Sequence, residues 1–185
     1  MTLTPEHHVQ QTTARTALQG DLLTVVLASL AIGLLAQVSI PIGPVPVTGQ
    51  TLGVLAAGAF LGSRRGTLAV LLYLAQGVSG LPVFAGGTAG VAVLAGPTAG
   101  YLVGFLPAAW IIGFLIERAP HARLGRYALA LTAGTAVIYL CGSLWLAQFV
   151  GWSRVVALGV LPFLVGDALK VGIVSMARGS SRRRL

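Results

Sequence analysis

Apolar residues in this chain come in long unbroken runs rather than at the spacing of one helix face or one strand face. Residues 22–40 form the first, long enough at about 1.5 Å per residue to cross a hydrocarbon core of roughly 30 Å. It predicts a transmembrane helix. The segment that follows, PIGPVPVTGQ (residues 41–50), holds three prolines and two glycines, which break any helix and predict an ordered loop. Residues 51–61 and 67–76 are apolar again, separated by GSRRG, but each is only about half to two-thirds of a full span. Two short helices follow from this, completed by loops that dip into the membrane; irregular backbone is tolerated there only when protein or a cavity covers it. A cavity is therefore implied. Residues 77–96, GVSGLPVFAGGTAGVAVLAG, are uncharged and glycine-rich and read as a re-entrant or lid-like segment. Residues 98–116, 127–150 and 155–177 are each long enough to span.

The pattern thus predicts an all-α integral membrane protein of six transmembrane helices, with short helices two and three and lid-like outer loops. Its organisation is a polar tail (1–21), one membrane domain (22–177) and a basic tail (178–185). The tail before the first run lacks signal-peptide character, so that run is expected to be retained.

Composition agrees with the pattern. The chain of 185 residues is 56% hydrophobic and 9% charged, with mean hydropathy +0.88, far from the roughly one-quarter charged residues of a soluble domain. Its net charge of +8 does not indicate nucleic acid, because the basic residues sit between apolar runs and form no stripe. Arg15, Arg64, Arg65, Arg118, Arg123, Arg126, Arg178 and Arg182 to Arg184 fall on one side of the predicted topology, with Arg154 alone opposite. By the positive-inside rule that side is the cytoplasm, both termini are cytoplasmic, and the loops at 41–50 and 77–96 face outward.

The chain has four acidic residues and one lysine. Asp167 lies deep in the last apolar run and Lys170, the lysine, is three residues on, so the two share a helix face. An ionisable group at mid-bilayer costs about 2.5–3.5 kcal/mol on insertion scales. Stability is a weak reason for a buried pair, which apolar replacement often leaves unharmed; a polar ligand is a better one. Mutual neutralisation is the alternative. Pro162, upstream in the same run, predicts a kink. Gly96, Gly100 and Gly104 recur at every fourth position, and Ser29 with Gly33 repeats the spacing in the first span. Such faces mark close helix contact, either internal or with a docking partner.

No G-x-x-x-x-G-K-[ST] occurs, so a P-loop for ATP is excluded. His7, His8 and His121 form no HExxH motif, metal set or triad. Cys141, the single cysteine, allows no intrachain disulfide.

The strings IPIGPVPVTGQTLGVLAAGAFLGSRRGTLAVLLYLAQGVSGLPVFAGG, LAGPTAGYLVGF and GDALK, in this order, resemble the BioY family. The resemblance implies the substrate-binding, or S, component of an energy-coupling factor (ECF) transporter for biotin in the bacterial cell membrane. It implies a transmembrane coupling subunit and two cytoplasmic ATPases as partners, biotin as transported ligand, no cofactor and no catalysis. Carried over by position, the family's acid and lysine of the last helix fall on Asp167 and Lys170. Thr48 and Gln50, Phe84, Gly86 and Gly87, and Tyr101 correspond to its lid and pocket wall, and Ser29 and Gly33 to its docking face, where S components often show alanines instead. Asp167 would accept the ureido N–H groups of biotin; Lys170 would meet either the ureido oxygen or, preferably, the carboxylate. The alternatives are an S component for another vitamin and an intramembrane enzyme using the same pair.

Overall fold

The computed structural model describes residues 5–119 and 123–181, with side chains from residue 19 to residue 180. His7, His8, Arg15, His121 and Arg182 to Arg184, which figured in the sequence reading, lie outside the described side chains.

Helix α1 (Pro5–Gln37) carries the first span and also takes in most of the polar tail. The expected end at Ile40 is corrected. Ser39–Ile40 (β1) leaves the helix and pairs antiparallel with Val47–Thr48 (β2), so the proline-rich segment between them is a tight ordered excursion. Helix α2 (Gln50–Val78) is in fact a helical hairpin, because Gly62 interrupts it with φ 81° and ψ −178°. Gly66 lies against the carbonyl of Ala57, and Gln50 is hydrogen-bonded to Tyr73. The two limbs therefore run antiparallel, matching the two short helices expected at 51–61 and 67–76.

The reversal is tighter than GSRRG suggested. Ser63 already begins the second limb, and its backbone N–H and hydroxyl donate to the two carboxylate oxygens of Glu117 at 2.7 and 2.8 Å. An acidic side chain on a fresh helix N-terminus satisfies an orphan donor and complements the dipole.

After α2 the chain makes two 3-10 turns, Ala85–Gly87 and Val91–Ala95, then enters α3 (Ala99–Glu117) and α4 (Leu124–Val150). The span expected at 155–177 is built of two helices: α5 (Trp152–Gly159) stops at Val160, whose φ −126°, ψ −57° is not helical, and α6 (Leu161–Ser181) restarts. Pro162 sits in the first turn of α6, where its missing N–H costs nothing, and the interruption expected from it falls two residues earlier, at Val160.

Helix α3 is the centre of the bundle, packed between α2 and α4. Gly100 abuts Cys141 and Trp145 of α4, Gly104 abuts Ile138 and Cys141, and Gly113 abuts the α2 reversal; small residues let these backbones approach. Gly96 lies outside the helix, and its carbonyl accepts from the Trp145 indole at 2.9 Å. Two apolar clusters stack along the bundle. One, with Leu55, Ile112, Tyr127, Leu131 and Val174, fills the end bearing the α2 reversal; the other, with Val54, Phe84, Leu102, Ile138 and Phe163, surrounds a cavity towards the opposite end.

Candidate binding site

The cavity has a volume of about 330 Å³, within the range of small-molecule sites. Its walls come from both ordered loops and from α2, α3, α4 and α6. Val45, Phe105, Ile138 and Phe163 make most of it apolar, and a single polar cluster projects into it.

That cluster is centred on Asp167, which is 3% exposed. Its Oδ1 accepts from the Thr51 hydroxyl at 2.9 Å and from Lys170 Nζ at 2.7 Å, and its Oδ2 accepts from the Tyr139 hydroxyl at 2.7 Å. Lys170 Nζ also donates to the Thr48 carbonyl at 2.8 Å and to Thr51 Oγ1 at 2.6 Å. All three ammonium protons thus have acceptors, and Thr51 is at once acceptor and donor. Helical spacing on α6 supplies the ion pair. The β1–β2 ladder brings up Thr48, and the start of α2 directly after it brings up Thr51.

A second chain of bonds leads away from the first. The Thr48 hydroxyl donates to Gln50 Oε1 at 2.9 Å, and Gln50 Nε2 donates to the Tyr73 hydroxyl at 2.5 Å. Tyr73 meets the ring of Phe84 edge to face, with centroids 5.6 Å apart. Phe84 is buried against Gly77, and its carbonyl accepts from Gln37. The outer loop is therefore pinned where it crosses the cavity. Tyr101 donates to the Gly159 carbonyl at 2.7 Å and packs beside Phe163, tying α3 to the α5–α6 break.

Of the residues singled out from sequence, Thr48, Gln50, Phe84, Tyr101, Asp167 and Lys170 line the cavity. Gly86 and Gly87 do not. Their φ values of 66° and 74° form the turn that carries the flanking Ala85 and Thr88 to the wall. Ser29 and Gly33 are corrected as direct docking residues, since both are buried inside the chain. Ser29 Oγ donates to the Val26 carbonyl and accepts from Gln76, and Gly33 faces Val83. The outward side of α1 is instead Leu22, Leu23, Val26, Leu27, Leu30 and Leu34. Sequence reasoning missed Thr51, Tyr139 and Phe163. A threonine at the mouth of a short apolar helix was the available hint for the first.

Five helical segments among the described residues, the folded-back α2 counted as one, are long and apolar enough to cross a membrane, and their bundle holds a cavity with a buried charged cluster. This is a multi-pass membrane protein of the S-component fold. The chain belongs to the BioY family, whose model matches residues 8–185. It is 42% identical over 135 residues to a probable biotin transporter BioY of Pyrococcus horikoshii, covering 73% of this chain and 79% of the relative. It is 39% identical over 155 residues to the biotin transporter BioY of Rhizobium etli, covering 80% and 83%. Among solved structures, it is similar to the S-component for biotin from an ECF-type ABC transporter, with a TM-score of 0.82, 26% identity and coverage of 98% and 95%.

Proposed function

We propose that this chain is the biotin-capturing subunit of an uptake system in the bacterial cell membrane, powered by an ECF coupling subunit and two ATPases. It binds biotin from outside and does no covalent chemistry. The observation that carries the reading is the Asp167–Lys170 pair, buried in the bundle yet lining an otherwise apolar cavity. Biotin matches that polarity with an apolar sulfur ring and chain and a compact ureido group.

Asp167 accepts the ureido N–H groups. Lys170 Nζ stands 2.7 Å from the same carboxylate, so on exchanging one of its bonds within the cluster it meets the ureido oxygen rather than the distant valerate carboxylate, against the preference drawn from sequence. Phe84, Tyr101 and Phe163 enclose the rings, and Thr48 and Gln50 hold the loop side of the site.

Calorimetry with biotin on the purified protein tests this. The wild type binds without ATP. Asp167→Asn and Lys170→Ala each lose at least about tenfold in affinity, since a hydrogen bond to a charged group contributes about 1.5–3 kcal/mol, and both still insert into the membrane. Equal affinity in all three proteins discards the site. Co-purification of a different vitamin discards the ligand and keeps the fold.

A further inference from the structure

We propose that the outward face of α3, with the start of α4, forms a site for an acidic phospholipid, separate from the cavity. Three residues at successive four-residue steps on α3 form a ladder. The Trp110 and Phe114 rings are stacked at 4.9 Å with 16° between planes, and the Arg118 guanidinium lies over the Phe114 ring at 4.1 Å. Trp110 is 46% exposed and Val103, two turns further along the same side, is 56% exposed, so this face meets lipid tails. A guanidinium held on an aromatic face at the end of such a stripe has the polarity of a phospholipid: apolar track, then cation.

The charge balance at this end points to an anionic headgroup. Glu117, next to Arg118, has both carboxylate oxygens engaged by Ser63, and Asp21 is paired with Arg65. Arg118 therefore has no carboxylate partner among the described residues, and exposed Arg123 and Arg126 follow at the start of α4. The α2 reversal, the end of α3 and the start of α4 lie at the end of the bundle away from the cavity. Arg118 approaches a headgroup phosphate with planar, multiple donors, which suits it better than a point charge.

Native mass spectrometry of the purified protein with equal phosphatidylglycerol and phosphatidylcholine reads the site. The wild type retains phosphatidylglycerol preferentially. Arg118→Gln lowers that retention about fivefold, the effect of one surface cation on an anionic lipid, whereas Arg154→Gln, in α5 near the cavity end, leaves it unchanged. Inorganic phosphate at equal concentration does not displace the lipid, because the apolar track contributes to holding it. Equal retention of both lipids by the wild type, undiminished retention by Arg118→Gln, or displacement by phosphate overturns the proposal. If Arg118→Gln does not fold, Phe114→Leu serves in its place: it keeps the apolar surface, removes the platform and lowers retention in the same direction.

Discussion

Asp167 and Lys170 are tolerated at membrane depth because both carboxylate oxygens and all three ammonium protons have partners, while Oδ2, with one bond, keeps room to accept another. Removing one member of such a cluster strands the others, which costs more than the pair contributes. Tyr139 and Thr51 are therefore expected to matter as positioning residues. Tyr139→Phe deletes the bond to Asp167 Oδ2 while keeping the ring, and Thr51→Val deletes the bridge between carboxylate and ammonium. Each should weaken biotin binding about tenfold and also lower the thermal transition of the purified protein, because each leaves a buried charged group short of a partner. Unchanged affinity in Tyr139→Phe would assign the orientation of the carboxylate to Lys170 and Thr51 alone.

Among the elements, the α2 hairpin depends most on one residue. Gly62 adopts a backbone region that only glycine occupies without strain, and Glu117 lies where a side chain would project. Gly62→Ala should cost about 1–3 kcal/mol, seen as a lower unfolding temperature in detergent. Glu117→Ala should destabilise more than Ser63→Ala, because it removes acceptors for two donors where Ser63→Ala removes one and leaves the backbone bond. The reverse order would mean that the carboxylate does not hold the hairpin to α3.

For the whole molecule, the contacts Ser63–Glu117, Phe60–Arg178, Gly179–Leu124 and Asp21–Arg65 gather most arginine-bearing segments at one end, and the cavity lies towards the other. The positive-inside rule predicts that the arginine end is the cytoplasmic one. In a Cys141→Ala background, Leu81→Cys should react with a membrane-impermeant maleimide in intact cells, and Ser180→Cys only after permeabilisation. The opposite labelling pattern would invert the topology.

The runs of apolar residues were enough to read the membrane class and the two short helices, because transfer into lipid depends on summed local hydrophobicity, and the spacing of Gly100 and Gly104 was enough to read a close contact of α3. They also exposed Asp167 and Lys170, since charge inside an apolar run is conspicuous without any partner in view. Hydropathy could not divide α5 from α6, where Val160 breaks the helix without breaking the apolar run. Nor could it reveal that Thr51 and Tyr139 complete the cluster, or that Ser29 and Gly33 turn inward. A hydroxyl costs little in a helix, and a small residue packs equally well against its own chain or another. Which helix faces which is decided by close packing between distant segments, and that information exists only once the bundle has formed.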